Sequence, residues 1–325
     1  MGMSRVAAID CGTNSIRLLV AEASTGHDGT TALRDLHREM RVVRLGQGVD
    51  ATGVLAAEAI ERTRAALVDY VGVLRRKGVE RVRMVATSAT RDAANRAEFF
   101  AMTAAVLGVE AEVISGAEEA ELSFLGAVGE LDPDDGPYLV ADVGGGSTEL
   151  VLGTWDGAEA RFDGAKSVDV GCVRLTERAL LSDPPTPAEV AEAQAVAERV
   201  LDEAFAQVPV AKARTWVGVA GTVTTLAAIH LGLSEYDPDR IHLSRIPFDG
   251  IESITARLLT TGHRERAAIG AMHPGRVDVI GGGAVVVRAL ARRVALETEI
   301  TSLLVSEHDI LDGIALSLAK VDDRR

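Results

Sequence analysis

Apolar runs along this chain are short, and each is cut by a charge or a glycine. The first, "VAAI", ends at Asp10 and a turn before "SIRLLVAEA" resumes, which predicts two strands about a loop. Partial alternation in "ALRDLHREMRVVRLGQGV" predicts further strands meeting at turns. From about 52 to 77 the apolar positions recur at helical spacing, and Gly78 supplies the stop. A strand "RVRMVATSATRD", a helix over 95–107 and a strand "VEAEVIS" follow. At Ser115 a capping-box pattern with Glu118 predicts a helix running through Leu122, Leu125 and Val128. "GELDPDDGPY" then breaks the pattern, and this Pro-, Gly- and Asp-rich stretch is the predicted domain boundary.

The second half repeats the plan. Strands are predicted around 138–143, 148–155 and 166–170, then a helix capped by Thr186 with Pro187 in its first turn and Glu189 completing a capping box. The strand "TWVGVAG" leads into a helix over about 222–231. "DVIGGGAVVVRAL" reads as strand, glycine turn and helix, and "EITSLLVSEHDILDGIALSLA" as one strand and one helix. At 325 residues the chain exceeds the ~250–300 at which a single core stops growing, so two α/β domains are expected.

Two segments echo each other. "IDCGTNSIRLLV" and "ADVGGGSTELVL" place Asp10, Gly12, Ser15 and Leu18 at the same offsets as Asp142, Gly144, Ser147 and Leu150. Glycine-dense turns beside acids let backbone N–H groups approach phosphate oxygens. Residues 12–15, 144–148, 221–224 and 281–283 all qualify, although neither a Walker lysine pattern nor a dinucleotide fingerprint is present. Asp10 and Asp142 each end an apolar strand just before such a loop, where a carboxylate can hold a hydrated Mg²⁺ or structure the turn. The copies differ at Arg17 and Glu149: one offers a cation, or simply a solvated strand residue, and the other an anion.

Glu118 and Glu119 point about 100° apart on a helix, so they cannot share one role. Glu118 occupies the capping position, and Glu121 reads as a solvated helix residue. Glu119 is left as the candidate general base. In "ATSATRD", Arg91 offers a bidentate match to phosphate oxygens, or pairs with a surface acid such as Asp92.

Composition removes whole classes of function. The chain is 47% hydrophobic and 25% charged, as soluble globular domains are. Its formal charge of −14 argues against nucleic-acid binding, so an anionic substrate needs a focused site. No apolar run approaches the ~18–20 residues of a membrane span, and the opening segment lacks a secretory pattern, so a cytoplasmic protein is expected. Cys11 and Cys172 lack paired spacing and read as small buried residues, and the histidines lack metal-binding spacing.

Taken in order, "AAIDCGTNSIRLLV", "ATSATRDAANRAEF", "VISGAEEAELSFLG", "LVADVGGGSTELVLG", "GVAGTVTTLAA" and "RVDVIGGGAVV" resemble the exopolyphosphatase / guanosine pentaphosphate phosphatase family over nearly the whole chain. The resemblance implies an α/β actin-like fold: two RNase H-like domains with a cleft between them, each opened by a phosphate loop. Residues 1–128 with about 305–325 would form the first domain and 129–304 the second.

Carried over by position, the resemblance makes Glu119, in Gly116-Ala-Glu-Glu-Ala120, the catalytic glutamate. Asp142 and Glu149 become the acids at a divalent metal, Mg²⁺ or Mn²⁺, to which the strand-end reading adds Asp10. Asn14, Ser15, Arg91, Gly144, Gly145, Gly146, Ser147 and Thr148 become the phosphate-binding set. The implied reaction is release of orthophosphate from the end of inorganic polyphosphate. Hydrolysis of guanosine pentaphosphate to the tetraphosphate is the runner-up, and an actin-like ATPase or kinase, or a non-catalytic polyphosphate sensor, is the alternative class. A homodimer and neither nucleic-acid nor membrane partners are expected. Longer family members carry a helical C-terminal domain that extends the substrate channel, and with this chain ending at Arg325, reduced long-chain processivity is expected. Leu311 and Asp312 stand where the family often has an arginine-glutamate pair.

Overall fold

The computed structural model describes residues 3–26 and 31–319. The chain divides into two compact units. Among the described residues, one holds those up to Gly129, Asp156–Glu159 and those from His308 to Ala319; the other holds Glu130–Trp155 and Ala160–Glu307.

In the first unit, β1 (Met3–Cys11), β2 (Ser15–Thr25), β3 (Thr31–Val42), β4 (Arg81–Ala86) and β5 (Glu112–Val113) form one sheet in the order β3-β2-β1-β4-β5. The first three strands are an antiparallel meander, and β4 and β5 add in parallel. Strand side chains alternate between faces, and β1 is buried on both. Ala7, Ile9 and Cys11 share a core with Leu67, Tyr70 and Phe99 of helices Ala57–Lys77 and Arg96–Leu107. Val6 and Ala8 pack with Leu122, Ile310 and Ile314 of helices Gly116–Val128 and Ile310–Ala319. Burial on both sides is why β1 reads as an unbroken apolar run. The last two helices approach closely at glycines: a Cβ on Gly126 would lie 1.8 Å from the Asp309 carbonyl oxygen, and one on Gly313 2.0 Å from that of Leu122.

The second unit repeats this topology. Its strands are β6 (Tyr138–Val143), β7 (Thr148–Trp155), β8 (Ala160–Val168), β9 (Thr215–Val219), β10 (Arg245–Pro247) and β11 (Ser302–Val305), in the order β10-β11-β9-β6-β7-β8. Again a three-stranded antiparallel meander, β6-β7-β8, is extended by parallel strands, β9 and β11. Among the described residues no helix is long and apolar enough to cross a membrane.

Several elements differ from expectation for identifiable reasons. The helix predicted over 52–77 is two, Val49–Thr52 and Ala57–Lys77, because Gly53 turns left-handed at φ 66°. The segment 81–92 is a strand only to Ala86, after which Ser88–Asp92 is helical. Strand pairing in "VEAEVIS" is confined to Glu112–Val113, and β8 begins at Ala160, ahead of the predicted 166. The predicted helix over 222–231 is Ala220–His230, taking Gly221 into its first turn. In "DVIGGGAVVVRAL" the expected strand is replaced by a turn at 278–279, and the glycines belong to helix Ile280–Glu297. Its glycines serve close packing: a Cβ on Gly282 would meet Thr176 Oγ1 at 2.4 Å, and one on Gly283 Thr222 Cγ2 at 2.5 Å.

Candidate active site

The first parallel strand of each unit ends near an aspartate and turns through equivalent loops. The Gly12 N–H donates to the Ser15 carbonyl at 3.0 Å, and the Gly144 N–H to the Ser147 carbonyl at 3.1 Å. The hairpin registers then set Asp10 opposite Arg17, and Asp142 opposite Glu149.

In the first unit that pairing is an ion pair. Arg17 Nε and Nη2 both donate to Asp10 Oδ2, at 3.0 and 2.7 Å, and Nη1 donates to Asp309. Asp10, expected at the metal, is thus engaged by a guanidinium, and Arg17 is no solvated strand residue. Burial pushes the Asp10 carboxyl above its ordinary range; Arg17 pulls the other way and Asp309 adds to the rise.

Glu119 sits in the first turn of helix Gly116–Val128, whose start is capped by Ser115 Oγ accepting the Glu118 N–H at 3.2 Å. The expected reciprocal bond is absent from this cap because the Glu118 carboxylate accepts from Arg83 at 2.7 Å. Glu119, only 7% exposed, accepts from Arg91 Nη1 at 2.8 Å, and the same nitrogen donates to the Ile114 carbonyl at 3.0 Å. The predicted base and the predicted phosphate-binding arginine are therefore in direct contact. In the same unit, buried polar atoms with no hydrogen-bond partner among the described residues include Thr13 Oγ1, Asn14 Nδ2 and Thr90 Oγ1. Leaving such a group unpaired costs roughly 1–3 kcal/mol. All three belong to segments that follow the neighbouring parallel strands β1 and β4, whose ends are joined by Thr87 N–H donating to the Cys11 carbonyl at 3.3 Å. In open α/β sheets ligands bind outside the carboxyl ends of such strands.

In the second unit the Asp142 and Glu149 carboxylates lie side by side on adjacent strands, 6% and 1% exposed. Ser167 donates to Glu149 Oε1 at 2.6 Å. Like charges directly opposite on a sheet repel, and hard carboxylate oxygens are the donors that suit Mg²⁺ or Mn²⁺. These residues fit a divalent cation. Gly144, Gly145, Gly146 and Ser147 form the loop, while Thr148 is fully buried and its hydroxyl donates to the Val170 carbonyl at 2.6 Å.

Of the residues expected from sequence, Asp10, Asn14, Ser15, Arg91 and Glu119 lie in the first unit and the remainder in the second. The roles of Arg17 and Asp309 were not foreseen. Arg17 carried a signal, since the hairpin offset sets it opposite Asp10; Asp309 is 292 residues from Arg17 and carried none.

Residues 19–318 match the Ppx/GppA phosphatase family. Exopolyphosphatase 2 of Mycobacterium tuberculosis is 57% identical over 324 residues, 98% of this chain and 100% of that protein. The guanosine-5'-triphosphate,3'-diphosphate pyrophosphatase of Aeromonas salmonicida is 30% identical over 292 residues, 90% of this chain and 55% of that one. The crystal structure of an exopolyphosphatase-like protein is 45% identical and superimposes with a TM-score of 0.91, covering 98% of this chain and 99% of that one. With the duplicated loops, the repeated sheet topology and these likenesses together, the chain belongs to the Ppx/GppA phosphatase family and has its α/β actin-like fold.

Proposed function

We propose that this protein is an exopolyphosphatase, hydrolysing the terminal phosphoanhydride bond of inorganic polyphosphate. The observation that carries this reading is Glu119, buried and hydrogen-bonded to Arg91 in the unit whose Asn14 and Thr90 segments carry unpaired donors. Its support from likeness is the full-length relative named an exopolyphosphatase.

Loop amides and Arg91 bind and orient the terminal phosphoryl group. Glu119 takes a proton from a water aligned with the scissile bond. The water oxygen bonds to phosphorus as the bond to the bridging oxygen breaks, the shortened chain departs, and orthophosphate is released. Phosphatases of this family generally depend on a divalent metal; here Asp142 and Glu149 would hold Mg²⁺ or Mn²⁺, which when bound neutralises phosphate charge. A cytoplasmic homodimer completes the reading, and sedimentation of the purified chain tests the dimer.

Guanosine pentaphosphate is the second reading, favoured by the likeness to the Aeromonas salmonicida pyrophosphatase. Orthophosphate release measured in parallel from short polyphosphate, long polyphosphate, guanosine pentaphosphate and ATP tests both. Release from polyphosphate is expected. Release confined to the guanosine nucleotide would establish the second reading, and release from none would refute both.

A further inference from the structure

In each unit the chain leaving the third strand returns to the loop that follows the first. After β3, the N–H groups of Val43 and Arg44 both donate to the Asn14 carbonyl, at 3.1 and 2.8 Å, and that of Gly46 to the Thr13 carbonyl at 2.8 Å. After β8, the Cys172 N–H donates to the Gly144 carbonyl at 2.9 Å, and those of Val173 and Arg174 to the Gly145 carbonyl at 2.9 and 3.1 Å. Arg174 Nε adds a bond to the Gly146 carbonyl at 2.8 Å. Aligned on their aspartates, Thr13 corresponds to Gly145 and Asn14 to Gly146, so the second clamp falls on the counterparts of the two carbonyls held by the first and on that of Gly144 as well.

Each clamp also contains a glycine with no room for a side chain. A Cβ on Gly46 would lie 2.4 Å from Thr13 Cγ2, and one on Gly171 2.5 Å from the Gly145 carbonyl oxygen. The first clamp uses a left-handed residue, Arg44 at φ 50°, which lets successive N–H groups converge on one oxygen. The second uses the first turn of helix Cys172–Ala179, where N–H groups lack partners within the helix.

A trans peptide holds a carbonyl and the next N–H in opposite directions. Drawing back the carbonyls of Thr13 and Asn14 therefore turns the Asn14 and Ser15 N–H groups the other way. In the second unit the same geometry turns out the N–H groups of Gly145, Gly146 and Ser147. We propose that Gly46, Gly171 and Arg174 are positioning residues that pre-set the amides of the two loops for phosphate oxygens. Affinity for the phosphate chain is then set partly by residues that do not touch it. The inference rests on the phosphatase reading given above.

The test uses the full chain and four variants: Arg174→Met, Gly171→Ala, Gly46→Ala, and Gly164→Ala as a packing control, whose added carbon meets Pro209 Cδ at 3.0 Å. Binding of inorganic tripolyphosphate is measured by calorimetry at several salt concentrations, with thermal unfolding and polyphosphate kcat and KM alongside. For the three clamp variants Kd and KM are expected to rise about tenfold or more, the loss of one charge-assisted hydrogen bond, with a smaller change in kcat. Arg174→Met is expected to stay folded with a modest fall in Tm and to keep the parental salt dependence of Kd, whereas Gly164→Ala lowers Tm and leaves Kd unchanged. Clamp variants that fold and bind with the parental Kd overturn the proposal, and Arg174→Met alone decides it where the glycine variants do not fold. A weakened salt dependence in Arg174→Met means direct contact with phosphate and also overturns it. A parent that binds no tripolyphosphate overturns it too, whereas one that binds but releases no orthophosphate refutes the phosphatase reading instead.

Discussion

The side chain seven positions after each loop aspartate is its partner across the hairpin, and the two partners differ in charge. Opposite Asp10 stands Arg17, tied in turn to Asp309, so the first carboxylate is spent on a part-buried ion-pair network. Opposite Asp142 stands Glu149, the acidic pair that the proposed function assigns to the divalent cation. Asp142→Asn is therefore expected to raise the Mg²⁺ concentration for half-maximal phosphate release by about tenfold or more. Asp10→Asn is expected to leave that value near the parent's but to cost about 1–2 kcal/mol of stability, because Arg17 loses one of its two carboxylate partners. A metal titration of activity and a urea titration of folding check the pair. Equal metal dependence in Asp142→Asn and parent would remove Asp142 from the metal.

Among the elements, the pattern at Thr186 and the same pattern at Ser115 had different outcomes. Thr186 forms the full box: Glu189 Oε2 accepts the Thr186 N–H at 2.7 Å, and Thr186 Oγ1 accepts the Glu189 N–H at 3.3 Å. At Ser115 only half forms, because Arg83, 35 residues away in sequence, claims Glu118. Local chemistry was legible where nothing distant competed. The Asp-Gly-Ser echo likewise read through to two sheets of one topology, since hairpin offset and strand period are local properties. Residues 281–283 misled for the opposite reason: their glycines answer to another helix, which the local pattern does not contain. The placement of Glu119 near a helix start was legible; its bond to Arg91 depends on the pairing of β4 with β5 and was not. Thr186→Ala is expected to cost about 1 kcal/mol, with polyphosphate turnover unchanged. Gly313→Ala, which drives a carbon into the Leu122 backbone, is expected to cost about 3 kcal/mol or more. Urea midpoints of the two variants check the ranking, and a Gly313→Ala protein as stable as the parent would contradict the helix crossing.

Across the whole molecule a formal charge of −14 has to coexist with a polyanionic substrate, which is why donors are concentrated on loop amides and a few arginines. Acid stability provides a separate check on the fold. Burial alone would raise the Asp312 carboxyl, but hydrogen bonds and charge from His308 and Arg38 outweigh it and hold the group down to about 2, against an ordinary 3.8. A depressed carboxylate stabilises the fold above its unfolded value and loses that contribution as pH falls through its folded one. About 2 kcal/mol should therefore disappear between pH 3.8 and pH 2 in the parent and be missing from Asp312→Asn at neutral pH. Urea midpoints across that range check it.

The most direct test of the proposed chemistry is Glu119→Gln. Glutamine keeps the shape and an oxygen to accept the Arg91 hydrogen bond, and removes only the capacity to take a proton from water. With saturating Mg²⁺, kcat for orthophosphate release from polyphosphate is expected to fall by about 10²–10⁴-fold while tripolyphosphate binding stays within about twofold of the parent. A Glu119→Gln protein that keeps most of its turnover would contradict the assignment of Glu119 as the base.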